Sequence, residues 1–114
     1  MKFSKQFAKV AREDGVVRWR REQALPLGVK LNALAITLAE TAPQPRPHRL
    51  AVSLDGVELF EETIVGGETY ICKLEKPLPV PRGAHEILTL CDGFAPMEPV
   101  AVTIEADVSM SLFS

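Results

Sequence analysis

Val100 to Leu112 reads V-A-V-T-I-E-A-D-V-S-M-S-L, with Val100, Val102, Ile104, Ala106, Val108, Met110 and Leu112 at every second position. Successive side chains of a strand point to opposite faces, so the run fits a long strand with one side in a core and the other in water. At helical spacing the same residues would scatter around the whole circumference. A lone strand neither satisfies its backbone groups nor buries its apolar face, so its neighbours are expected to be β as well.

The pattern repeats upstream. Ala84 to Cys91 reads as a strand closed by an Asp92-Gly93-Phe94 turn, and Ala95 to Pro99 leads into the final strand. Tyr70, Cys72 and Leu74 alternate within Thr69 to Lys76, which follows a Gly66-Gly67 turn and is interrupted by Pro77, Pro79 and Pro81. Leu50, Val52 and Leu54 alternate before Asp55-Gly56, and Val57 and Leu59 after it, with Phe60 and Ile64 out of phase. Asp-Gly between such runs predicts a hairpin, because a type I′ turn needs positive φ at both central positions. Ala42 to Pro47, A-P-Q-P-R-P, predicts an extended connection.

The first third is less regular. Residues 29–41 satisfy two periods: Leu34, Ile36 and Leu38 alternate, while Leu31, Leu34, Ala35 and Leu38 align at helical spacing. A strand is preferred over a helix, because turn-rich segments bound the stretch on both sides. Val16 to Gln23 predicts an edge strand with Val17 and Trp19 on one face and Arg18 and Arg20 on the other. Ser4 to Asp14 predicts a short amphipathic helix with Phe3, Phe7 and Val10 on one stripe, Ser4 as N-cap and Gly15 just past the end. The expected architecture is all-β: an antiparallel, immunoglobulin-like or transthyretin-like sandwich of about seven strands over residues 16–114, with residues 1–15 as a helical arm.

The stretch V80-P-R-G-A-H-E-I-L-T-L-C-D-G-F-A-P-M-E-P-V-A-V-T-I resembles the small sandwich repeats called PEGA domains and, more distantly, transthyretin-like and carboxypeptidase-regulatory-like sandwiches. Pro81 and Gly83, His85 to Leu90, and Gly93, Phe94 and Pro96 stand at the matching positions, and V52-S-L-D-G looks like the first hairpin of that pattern. The resemblance covers residues 50–112. The Pro-Glu-Gly-Ala tetrapeptide is absent, and the first 47 residues have no counterpart. What the resemblance implies is a non-catalytic binding or spacer module.

A length of 114 residues suits one domain. The 46% hydrophobic and 25% charged content is that of a globule with a packed core. No apolar stretch approaches the ~20 residues of a membrane helix, and the lysines of M-K-F-S-K-Q-F-A-K-V break the apolar region a signal peptide requires. The expected location is the cytoplasm or a particle assembled there, where Cys72 and Cys91 stay reduced in preference to forming one bridge. Charge is unevenly spread. Residues 1–30 carry eight basic and three acidic side chains, and residues 31–114 carry five and twelve. Such a chain can attract copies of itself head to tail or dock its basic end on an acidic partner.

Candidate chemistry is sparse. His48 and His85 are the only histidines and sit at no metal-ligand spacing with Cys72 or Cys91, so no metal or cofactor is expected. No G-x-S-x-G elbow or phosphate-binding loop occurs, and Glu61-Glu62 reads as solubilising charge, so no enzyme is expected. His85 is expected to cap a turn or bond across strands. Trp19 among Arg18, Arg20 and Arg21 fits a nucleic-acid grip, but alternation favours Trp19 facing the core with the arginines in solvent. One Trp and one Tyr, Tyr70 on the core side, leave few rings for a sugar platform.

The sequence therefore points to a β-sandwich interaction or structural module, a self-associating or accessory component of a larger assembly such as a viral particle or surface lattice. Its partner is expected to be a protein or a second copy, with neither a membrane nor a small-molecule ligand. The interacting residues are expected to be Phe3, Phe7 and Val10, docking in an apolar groove, and Arg18, Arg20 and Arg21, meeting an acidic face. A carbohydrate-binding module is the alternative, and nucleic-acid binding through the basic segment the third.

Overall fold

The computed structural model describes residues 2–39 and 46–110. Eight strands follow in order: β1 (Lys2–Val10), β2 (Val17–Leu25), β3 (Val29–Leu38), β4 (Pro47–Leu54), β5 (Val57–Val65), β6 (Thr69–Val80), β7 (Gly83–Cys91) and β8 (Pro99–Met110). They form two antiparallel four-stranded sheets, ordered β1-β8-β3-β6 and β2-β7-β4-β5. Most of the connection expected at 42–47, and Leu112, lie outside the described residues.

The topology is one long hairpin rolled up around Asp55-Gly56. Lys2 pairs with Asp107, Val17 with Cys91, Val29 with Val80 and Pro47 with Val65, so each pair straddles the same point of the chain. Asp55 (φ 50°) and Gly56 (φ 81°) supply the two positive φ values the turn demands. Eight strands wound this way into two facing sheets make a jelly roll. That winding differs from the immunoglobulin order, in which seven strands divide four and three.

The strand beyond the seven expected is β1, which falls in the segment expected to be a helix. Residues 2–10 pair one for one with β8, Phe7 opposite Val102 and Phe3 opposite Ala106, and no helix is present among the described residues. Phe3 and Phe7 lie four residues apart, a separation that suits a strand face as well as a helix stripe, and a long partner strand decides for pairing. Gly15 is no helix cap. With φ at 77° it turns the chain from one sheet to the other, and a Cβ there would sit 2.4 Å from the Phe94 carbonyl oxygen. Over its described residues, 2–15, the expected arm is thus an edge strand and its turn.

Two bulges explain the sequence's broken phases. At Asn32, β3 carries one residue more than β8, so its inward side switches from Val29 and Leu31 to Leu34, Ile36 and Leu38. The strand preferred for 29–41 is therefore present over Val29–Leu38, and its helix-like interval of three is the bulge. At Leu59, β5 carries one residue more than β4, which brings Phe60 and Ile64 inward. Strand β6 continues through Pro77 and Pro79 to Val80, where a short strand was expected to stop. It does so as a sheet edge, where proline's missing N–H removes no ladder bond, with residues 74–77 skipped in its register to β3.

The core is graded along the sandwich. Ile36, Leu38, Leu50, Ile64 and Val102 are completely buried near one end, where His48 stacks on Phe94 at 4.3 Å. Toward the other end Leu25, Leu54, Leu59, Leu78, Ile87 and Ala106 are only half-buried.

Candidate functional site

The two sides of the sandwich end in different edges. One side is formed by β1 and β2, the other by β6 and β5. Both β1 and β2 pair without a bulge or a proline. Along residues 2–25 stand Lys2, Lys5, Lys9, Arg12, Arg18, Arg20 and Arg21 against Glu13, Asp14 and Glu22. Lys9, Arg12, Arg18 and Arg20 border a shallow groove with Val10 and Val17, in which Lys9 Nζ donates to the Arg18 carbonyl at 3.1 Å. Arg12 pairs with Asp14 at 2.7 Å and Arg20 with Glu86 at 3.4 Å. Arg18 and Arg21 have no partner among the described residues.

The opposite side is acidic. Residues 57–80 hold Glu58, Glu61, Glu62, Glu68 and Glu75 against Lys73 and Lys76. The bulge at Leu59 sets Glu58 and Glu61 side by side, and a hydrogen bond between their carboxyls together with the Glu61 charge holds Glu58 above the usual carboxylate range. Arg49 contacts Glu61 directly and offsets Glu58 only through its charge. Each edge also leaves large apolar side chains in water: Phe3 (46%) and Val10 (45%) on β1, Val57 on β5 and Ile71 (69%) on β6.

The expected interaction residues fall in three places. Phe7 is buried against Trp19, ring centres 6.0 Å apart, and Phe3 follows on the same face nearer the half-buried end. Val10 lies on the opposite face of β1, so the three do not form one stripe. Arg18 and Arg20 are exposed, and Val17 and Trp19 face the core between them, as alternation predicts. Arg21 falls on Trp19's side of the strand yet stays exposed, because β2 is the edge of its sheet.

His85 bonds across strands. Its Nδ1 lies 2.5 Å from Asp55 Oδ2 and its Nε2 2.5 Å from the Pro81 carbonyl oxygen. Both neighbours are acceptors, so they favour the doubly protonated ring and its pKa is raised, first by the Asp55 bond and then by Pro81. The same bond, with the Glu86 N–H donating to Asp55 Oδ1 at 2.7 Å, lowers Asp55. The pair clamps the hairpin apex to β7. The Tyr70 hydroxyl accepts from the Val65 N–H and donates to Glu68, which uses its polar end. Both thiols are free, and burial pushes that of Cys91 up to about 12. Among the described residues no three of His, Cys, Asp and Glu gather as metal ligands, and no helix is long and apolar enough to cross a membrane.

A feature without a sequence signal lies at the half-buried end, where the sheets splay into an apolar cleft of about 400 Å³ bounded by Phe3, Phe7, Leu25, Leu59, Ile87 and Ala106. Lys5, Gln23, Ser53 and His85 are its polar members.

No protein-family model matches this sequence, and no curated protein matches it. Among solved structures the chain is similar to one of infectious bursal disease virus, Gx strain, at 9% identity and a TM-score of 0.37, over 96% of this chain and 36% of that one. It is likewise similar to the VP2 subviral particle of infectious bursal disease virus, at 9% identity and a TM-score of 0.34, over 96% of this chain and 37% of that one. The chain spans little more than a third of the length of either.

Proposed function

We propose that this jelly roll is a non-catalytic structural module that associates with further copies of itself, the basic β1/β2 edge of one copy meeting the acidic β5/β6 edge of the next. The observation that carries the reading is the opposition of the two edges, seven basic against three acidic side chains on one side and two against five on the other, each with exposed apolar residues. Lysines along an unbulged edge repel an identical edge and so disfavour symmetric pairing. A partner that brings glutamates removes that penalty, which makes the contact heterologous and able to close into rings or extend.

Sedimentation velocity on the full chain tests this. Oligomers should grow with protein concentration and recede as ionic strength rises, because exposed charges are screened. Arg18→Glu with Arg21→Glu should give a monomer, as should Glu58→Lys with Glu62→Lys, and mixing the two variants should restore association. A wild-type chain that stays monomeric at millimolar concentration and low salt sinks the proposal.

A further inference from the structure

The cleft between the sheets suggests a ligand that the edge contacts do not involve. In a packed sandwich the inward side chains of facing sheets interdigitate and exclude water. Here they do so at the Phe94 end, but at the other end the inward Leu25, Leu54, Leu59, Ile87 and Ala106 remain half-buried around about 400 Å³ of space. A cavity of that size with almost wholly apolar walls is the kind that takes a small ligand.

The few polar groups restrict what the ligand can be. Both ring nitrogens of His85 are engaged by Asp55 and Pro81, and Gln23 Nε2 donates to the Ala24 carbonyl. Lys5 remains. It lies on the inward side of β1 between Phe3 and Phe7, is half-buried, and has no hydrogen bond or ion pair to another described residue. Pairing with an anion would offset the partial desolvation of its ammonium group. No carboxylate is among the residues that bound the cleft.

We infer that the cleft binds a medium-chain fatty acid, the acyl chain lying between the two sheets and the carboxylate pairing with Lys5 Nζ. The apolar walls recognise the chain, and Lys5, whose charge has no counter-ion among the described residues, recognises the head group. Arg18, Arg21, Glu58 and Glu62, on which the association of copies is tested, do not line the cleft, so this site and that association are tested separately.

The probe is dodecanoate, titrated below its micellar concentration into the full chain by calorimetry, with octanoate and decanoate as shorter comparisons. Saturable one-to-one binding is expected, tightening about fourfold for each added methylene as more chain leaves water. Lys5→Gln should weaken dodecanoate about tenfold and leave the dependence on chain length intact. Dodecanol should bind wild type no better than dodecanoate binds Lys5→Gln. Ala106→Trp, which fills the cleft, should abolish binding of all three acids, with circular dichroism confirming the fold. Absence of saturable binding to wild type overturns the inference, as does dodecanol binding equal to dodecanoate. Binding lost on raising protein concentration would assign the cleft to a second copy and overturn it too.

Discussion

The side made by β1 and β2 and the side made by β5 and β6 solve the same problem in opposite ways. Any open sheet ends in unpaired N–H and C=O groups that invite another strand. On the β5/β6 side the backbone itself is irregular, with a bulge at Leu59, a skipped register at residues 74–77 and prolines at 77 and 79. On the β1/β2 side the backbone is regular and only charge guards it. A bulge or a proline hinders strand addition by any partner and leaves contact to side chains, whereas a charge excludes some partners and admits others. The regular side is therefore the selective one.

The largest expected effect tests whether β1 belongs to the sandwich as firmly as β6 does. Phe7→Ala removes a buried ring packed on Trp19 and should cost about 3–5 kcal/mol in urea unfolding. A segment that merely rested on the domain would cost almost nothing, so a loss below 1 kcal/mol would contradict its place in the core.

Next in size is the pH dependence of the apex that anchors the β5 side. Because His85 is raised, its contribution is fully present below the ordinary histidine value and is lost as pH rises through the raised one. Because Asp55 is lowered, its contribution is present above the ordinary aspartate value and is lost as pH falls through the lowered one. Thermal unfolding followed across pH should place the pair's effect between those limits, and Asp55→Asn should flatten both flanks. An unchanged profile in that variant would remove the clamp from the account.

A smaller change concerns Thr89 on β7, whose hydroxyl is fully buried without a hydrogen-bond partner. Thr89→Val keeps the shape and removes the unsatisfied group, and should stabilise the chain by about 1 kcal/mol in the same urea assay. The smallest effect lies on the irregular edge: Ile71→Ser, at a site already in water, should move stability by less than about 0.5 kcal/mol. A large loss there would mean that Ile71 is covered and that the two edges are less different than described.

Much of this architecture was legible where side-chain parity survives unbroken. Strands β7 and β8, the Asp55-Gly56 hairpin and the inward Val17 and Trp19 follow from alternation alone. Legibility failed where parity breaks or two periods coincide. Phe3 and Phe7 satisfy both periods, and Ser4 and Gly15 imitate helix ends, so β1 read as a helix. The bulges at Asn32 and Leu59 shift the inward side by one residue, which blurred β3 and made Phe60 and Ile64 look misplaced. Of the candidate surface, the charge imbalance between the ends of the chain was readable, but its arrangement on opposite edges depends on the winding. The cleft and the exposure of Lys5 depend on how far the sheets separate, and no local pattern encodes that distance.

The concentric pairing about Asp55-Gly56 also sets an order of assembly. The innermost rung closes a two-residue turn, whereas the outermost joins Lys2 to Asp107 and must gather nearly the whole polypeptide first. Since the entropy lost in closing a loop grows with its length, strands should zip outward from the apex, and β1, made before the other seven, should be among the last to lock. A nascent chain leaving the ribosome would thus hold its lysine-bearing strand unpaired until β8 had been made.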